Sequence, residues 1–156
     1  MTLASPPALP IDGHLQAIVT SLAPGSTLLL QAPPGAGKTT RVPLALLESC
    51  GGAGRILMLE PRRLAARSAA LRLAAGLGEP VGERVGYSVR LDHRTSAATR
   101  LEVVTSGIFL RKLQADPALE EVSCVIFDEF HERDAEADLA LALVRLARSV
   151  LRPDLR

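Results

Sequence analysis

The stretch that most constrains this chain is Gln31-Ala32-Pro33-Pro34-Gly35-Ala36-Gly37-Lys38-Thr39-Thr40. An apolar run, Leu28 to Leu30, precedes it, and a helical pattern from Arg41 to Glu48 follows. Strand, glycine-bearing turn, Lys-Thr and helix is the layout of a loop that wraps phosphate. A helix N-terminus carries unpaired N–H groups and a partial positive charge, so it attracts anions. Gly35 and Gly37 let successive N–H groups line one concave nest with no Cβ in the way. Lys38 is placed to reach the β- and γ-phosphates, and the Thr39 hydroxyl to hold Mg²⁺. Gly35, Ala36, Gly37, Lys38, Thr39 and Thr40 are therefore the expected nucleotide-binding residues. Ala32 stands where the pattern has its first glycine, a position at the strand end that tolerates Ala while φ stays negative. Lys38 and Lys112 are the only lysines in the chain.

A length of 156 residues predicts one domain. Hydrophobic content is 47% but aromatics are only 3%, so the core must be Leu, Val, Ala and Ile. Such a core suits helices covering an apolar parallel sheet. The net charge of +1 argues neither for nor against nucleic acid, yet it hides a polarity. Residues 55–72 hold five arginines against Glu60, and residues 116–138 hold nine acids against Arg133. A basic and an acidic element in one small domain fit a phosphate-polymer face and a metal site. Cys50 and Cys124 lack metal spacing and read as reduced thiols, Cys124 within an apolar strand. The N-terminus lacks a basic secretory start, and no apolar run is long enough to span a membrane, so the expected setting is cytoplasmic.

In order, residues 1–12 read as an irregular, Pro-bearing lead-in, and residues 13–22 as a helix on which His14 is a surface residue. Ser26 to Gln31 reads as the first strand. Pro43 falls in the early turns of the helix after the loop, where proline is tolerated. The glycines of 51–54 mark a turn before a buried strand, Arg55 to Glu60. An Ala-rich helix runs from Leu64 to Leu77. Val85–Arg90 and Leu101–Thr105 are strands joined by a polar link in which His93 is a surface residue. Ile108–Leu113 is a short helix, Val122–Phe127 a strand, and Ala135–Leu151 a long helix. Alternating strands and helices imply α/β layers on a mostly parallel sheet.

Directly after Val122–Phe127 comes Asp128-Glu129-Phe130-His131-Glu132-Arg133. An acid at the carboxyl end of a buried strand lies where open α/β sheets bind ligands. Asp128 is expected to join Thr39 around Mg²⁺, and Glu129 to polarise the attacking water as general base.

These residues resemble the Asp-Glu-x-His box of the DEAH-type superfamily 2 RNA helicases, most closely a bacterial branch of that family, and the likeness runs from Leu9 onward. The phosphate loop, with its Ala-Pro-Pro, is similar to that branch's loop. Pro61-Arg62-Arg63-Leu64-Ala65-Ala66-Arg67 resembles the family's first nucleic-acid motif. Gly86-Tyr87-Ser88-Val89-Arg90 and Thr105-Ser106-Gly107 resemble its two intermediate motifs, with Ser106 where an acid is more usual.

The resemblance implies a RecA-like P-loop NTPase domain over residues 13–156, a mostly parallel sheet with helices on both faces, stopping before the strand that ends in Ser-Ala-Thr. A gap in the sheet centre and an absent second RecA-like domain follow from it. It implies ATP and Mg²⁺ as cofactors, and a nucleic-acid partner, RNA rather than DNA. Arg62, Arg63 and Thr105 become backbone contacts, which position a strand without reading sequence. Arg72 becomes the residue stacking on adenine, and His131 the link to the neighbouring domain. Arg133 supports the site. The implied function is ATP hydrolysis coupled to unwinding in the full-length protein. The alternatives are a nucleic-acid-stimulated ATPase without unwinding and a non-catalytic nucleotide- or RNA-binding module.

Overall fold

The computed structural model describes residues 8–50 and 54–156. The turn expected at 51–54 and the start of the lead-in therefore lie largely outside the described residues. Five strands form one sheet: β1 (Arg55–Glu60), β2 (Val85–Val89), β3 (Asp92–Arg94), β4 (Leu101–Thr105) and β5 (Val122–Phe127), in the order β3-β2-β4-β1-β5. β1 runs parallel to β4 and β5, and β2 parallel to β4; only β3 is antiparallel, paired with β2.

Alternation along β1 sends its side chains into two separate cores. Ile56 and Met58 pack with Val42 and Leu46 of α2 (Lys38–Ser49) and with Ala66, Ala69, Ala70 and Leu73 of α3 (Arg63–Gly76). Leu57 and Leu59 pack with Phe109 and Leu113 of α4 (Ser106–Ala115) and with Ala140 and Val144 of α5 (Ala135–Val150). Each fully buried side chain of this size contributes about 1.5–3 kcal/mol. The short α1 (Leu15–Ser21) completes the α2–α3 layer through Ile18.

Local chemistry sets the helix ends. Arg62 is extended before α3, and Gly78 closes that helix with φ +71°, its N–H reaching the Ala75 carbonyl at 3.0 Å. The Asp134 side chain caps α5 by accepting from the Glu136 amide. The turn after α5 is stapled by Arg152, which donates to the carbonyls of Leu119 (2.6 Å) and Val122 (3.0 Å) and pairs with Asp154. That guanidinium holds the Asp154 carboxyl down at about 2.

Four expectations are corrected. Ser26–Gln31 is not a strand: it has no ladder partner, and Leu29 is 92% exposed. A strand exists only through inter-strand bonds, and this segment is tied instead at its start, where Gly25 N–H meets the Asp154 carbonyl at 2.9 Å and Arg148 reaches Gly25 and Thr27. The expected gap in the sheet centre is also absent. The five strands are continuous and β5 forms the edge, with the Arg156 backbone bonded to Ser123 and Val125. Finally, the polar link after Val89 contains β3, and the helix after the phosphate loop starts at Lys38 rather than Arg41.

The β2–β3 hairpin depends on Gly86. A Cβ there would meet the Arg94 carbonyl oxygen at less than van der Waals contact and Thr95 Cγ2 at 2.9 Å. Gly86→Ala is expected to lower stability by about 1–3 kcal/mol in urea unfolding, as overpacking does.

Candidate active site and adjoining surface

Parallel pairing brings the loops that follow β4, β1 and β5 to one edge of the sheet. Thr105, then Pro61-Arg62-Arg63, then Asp128-Glu129 stand there in spatial order. The phosphate loop meets the Asp128 end of this row.

Gly35 and Gly37 take φ values of +76° and +100°. These left-handed angles are the ones that turn consecutive amides inward. The loop is braced by the end of the lead-in: Ile11 N–H donates to the Ala36 carbonyl at 3.1 Å, and a Cβ on Gly37 would meet Leu9 Cδ1 at 2.8 Å. Ala36 is buried, and Thr40 lies in the first turn of α2 with its hydroxyl 3.5 Å from the Gly37 carbonyl. Lys38 Nζ donates back to the carbonyls of Ala32 (2.6 Å) and Pro33 (3.3 Å), so the ammonium spans the turn.

Thr39 Oγ1 donates to Asp128 Oδ2 at 2.5 Å, joining α2 to the end of β5. Asp128 is held from both sides, its N–H on the Leu59 carbonyl at 3.1 Å and its Oδ1 accepting from the Glu129 N–H at 3.0 Å. A hydroxyl and a carboxylate are hard oxygen donors. Among the described residues no larger cluster of acid, His or Cys side chains stands ready to cage a metal. That sparse donor set suits Mg²⁺, which keeps its waters and takes phosphate oxygens, rather than a metal bound wholly by protein.

Glu60, at the end of β1, is a member of this site that reading the sequence did not assign. It is 3% exposed, and its carboxyl is pushed up to about 8. Burial is the main cause, followed by its hydrogen bond to Asp128 and the charges of Asp128 and Glu129; Arg72 opposes them. The raised value favours the neutral form of Glu60, with Asp128 as its hydrogen-bond partner. A signal existed, because an acid closing an apolar strand is the pattern that marks Asp128.

Glu129 adopts φ +49° and Arg133 φ +56°, flanking the 3₁₀ turn Phe130–Glu132. Left-handed backbone on such residues is sparsely populated and clusters at functional sites. His131 Nε2 lies 3.2 Å from Glu129 Oε2, with the imidazole otherwise exposed. Arg133 pairs with Asp138 at 2.8 Å. Arg62 Nη2 donates to both carboxylate oxygens of Glu132, at 2.9 Å each, while Arg63 is exposed at the first position of α3. Thr105, half-buried, caps α4 with extended backbone, and Ser106 beside it is buried. Arg72 is exposed on α3, and its charge reaches Glu60.

The Glu60 carboxyl gives a pH prediction. Its folded-state value lies above the ordinary carboxyl value of 4.5, so it stabilises most below that value. The contribution falls as pH rises through the window up to about 8. In metal-free buffer, Glu60→Gln is expected to flatten the decline in stability across that window, as read by thermal melts at stepped pH.

Comparison with known proteins is consistent with this geometry. The family model described as DEAD/DEAH box helicase matches residues 13–152. The chain is 50% identical over 149 residues to the Escherichia coli ATP-dependent RNA helicase HrpB, covering 96% of this chain and 18% of that protein. It is 41% identical to ATP-dependent RNA helicase DHX30 of Gallus gallus, covering 95% of this chain and 12% of that one. A crystal structure of the E. coli DExH-box NTPase HrpB superposes with a TM-score of 0.91 at 47% identity, over 99% of this chain and 19% of that chain. The chain thus spans about a fifth or less of the length of these relatives. Its mostly parallel, doubly covered sheet matches their RecA-like helicase domain.

Proposed function

Because the chain belongs to the DEAD/DEAH-box helicase family, we propose that it is the Mg·ATP-binding and hydrolysing domain of an ATP-dependent RNA helicase. The Thr39–Asp128 bond carries this reading, since it unites two residues 89 apart in the sequence at the mouth of a phosphate loop. Gly35, Ala36, Gly37, Lys38, Thr39 and Thr40 bind the triphosphate through backbone amides, and Lys38 leaves its loop carbonyls for phosphate oxygens. Thr39 and Asp128 hold Mg²⁺, which neutralises charge developing on the transferred phosphoryl group. Glu129 takes the proton of the attacking water. His131, whose Nε2 lies 3.2 Å from that carboxylate, orients it and faces the neighbouring domain, and Arg72 covers the adenine.

Arg62, Arg63 and Thr105 hold the RNA backbone along the adjoining edge. A second RecA-like domain of the full-length protein completes the site and converts hydrolysis into unwinding. The relatives' much greater length supports that arrangement. Two unpaired thiols, Cys50 and Cys124, fit a cytoplasmic setting, and no helix among the described residues is long and apolar enough to cross a membrane.

Calorimetric titration with Mg·ADP is expected to show one saturable site that Lys38→Ala abolishes. In the full-length protein, Glu129→Gln is expected to keep ATP binding while turnover falls about 10²–10⁴-fold, the range for removal of a general base. Unchanged turnover in that variant would remove Glu129 as the general base, and absent turnover in the wild type would reduce the protein to a binding module.

A further inference from the structure

Arg62 stands at an exposed edge, on extended backbone just before α3, with 72% of its side chain open to solvent. One guanidinium nitrogen, Nη2, is nonetheless already engaged, 2.9 Å from both carboxylate oxygens of Glu132. Glu132 closes the 3₁₀ turn that begins directly after Glu129. Both residues flanking that turn have positive φ, so surrounding contacts rather than backbone preference hold its shape. Phe130 packs edge-on to Phe127 with ring centroids 5.9 Å apart, Arg133 grips Asp138, and Arg62 grips Glu132. Of these, the Arg62 grip is the one made by a residue from the nucleic-acid edge.

We propose that nucleic-acid phosphate and Glu132 compete for the Arg62 guanidinium, so that strand binding is reported to the turn carrying Glu129. The inference rests on the assignment of Arg62 to RNA contact made above. A phosphate that takes two prongs of the guanidinium needs Nη2, the nitrogen that Glu132 holds, so the two compete for that donor. The existing pair is exposed and hence weak, which makes exchange feasible at the affinity of a polyanion. Release of Glu132 removes one restraint from the turn, and the Glu129–His131 contact beside it is then free to rearrange. In the RNA-free protein, Glu132 both occupies an RNA contact and holds the general base in its resting geometry. Glu132 is thus a positioning residue, acting through Arg62 on one side and Glu129 on the other.

The test uses the full-length protein, a labelled single-stranded RNA oligonucleotide read by fluorescence anisotropy, and ATP turnover with and without that RNA. Glu132→Gln is expected to tighten RNA binding about two- to fivefold, the scale of an exposed pair. It is also expected to raise RNA-free turnover, so that the stimulation ratio falls while the RNA-saturated rate holds. Arg62→Ala should weaken RNA binding, and adding Glu132→Gln to it should give no tightening. Glu136→Gln removes an equal charge on the first turn of α5, outside the Arg62 pair, and should leave affinity within the error of wild type. Equal tightening by Glu132→Gln and Glu136→Gln would overturn the proposal in favour of general electrostatics. Tightening that persists without Arg62, or no tightening at all, would also overturn it. Wild-type protein that binds no RNA would sink the functional reading as well, which separates the two failures.

Discussion

The parallel pairing of β1 with β4 and β5 is the constraint on which the site depends. Parallel strands require crossovers, and each crossover returns the chain to the same end of the sheet before the next strand begins. Every loop leaving a strand's carboxyl end therefore opens on one edge. Glu60, Thr105 and Asp128 are brought together because each ends its strand or directly follows it, not because they are close in sequence. The two apolar cores fix this alignment, since a one-residue slip of β1 would exchange Ile56 and Met58 with Leu57 and Leu59 between faces.

Three carboxyl groups, Glu60, Asp128 and Glu129, meet at that edge and cannot all be ionised without cost. The structure resolves the conflict by desolvation. Glu60 is the most buried of the three, and burial is the main cause that pushes its carboxyl up to about 8, beside the Asp128 that accepts from the Thr39 hydroxyl. Burial thereby sets Glu60 apart from the acids beside it, a familiar way for a site to separate similar groups. The arginines around it divide similarly, with Arg62 on Glu132 and Arg133 on Asp138, while Arg72 acts at longer range on Glu60.

The phosphate loop shows how a local motif is completed by distant chain. Its two left-handed glycines supply the curvature, yet its packing comes from Leu9 and Ile11, in a lead-in that reads as irregular from sequence. The preceding segment, 26–31, shows the opposite. It has the composition of a strand, but among the described residues it has no ladder partner, and the Arg156 backbone bonds along the outer side of β5 instead. Strand character is a property of the pair and is not contained in either partner.

The sequence alone determined the elements and the reactive groups. The Ala-rich face of α3, the apolar runs of β1, β4 and β5, and the Gly-Lys-Thr and Asp-Glu stretches are local patterns whose periodicity and chemistry are written in adjacent residues. Resemblance in five ordered motifs named the family for the same reason. Tertiary structure decided what distance in the chain hides. It sealed Glu60 beside Asp128, gave Arg62 to Glu132, formed β3 from a polar link, and denied a ladder to residues 26–31. Burial, ion pairing and strand pairing each depend on which surfaces meet, and only the packed sheet settles that.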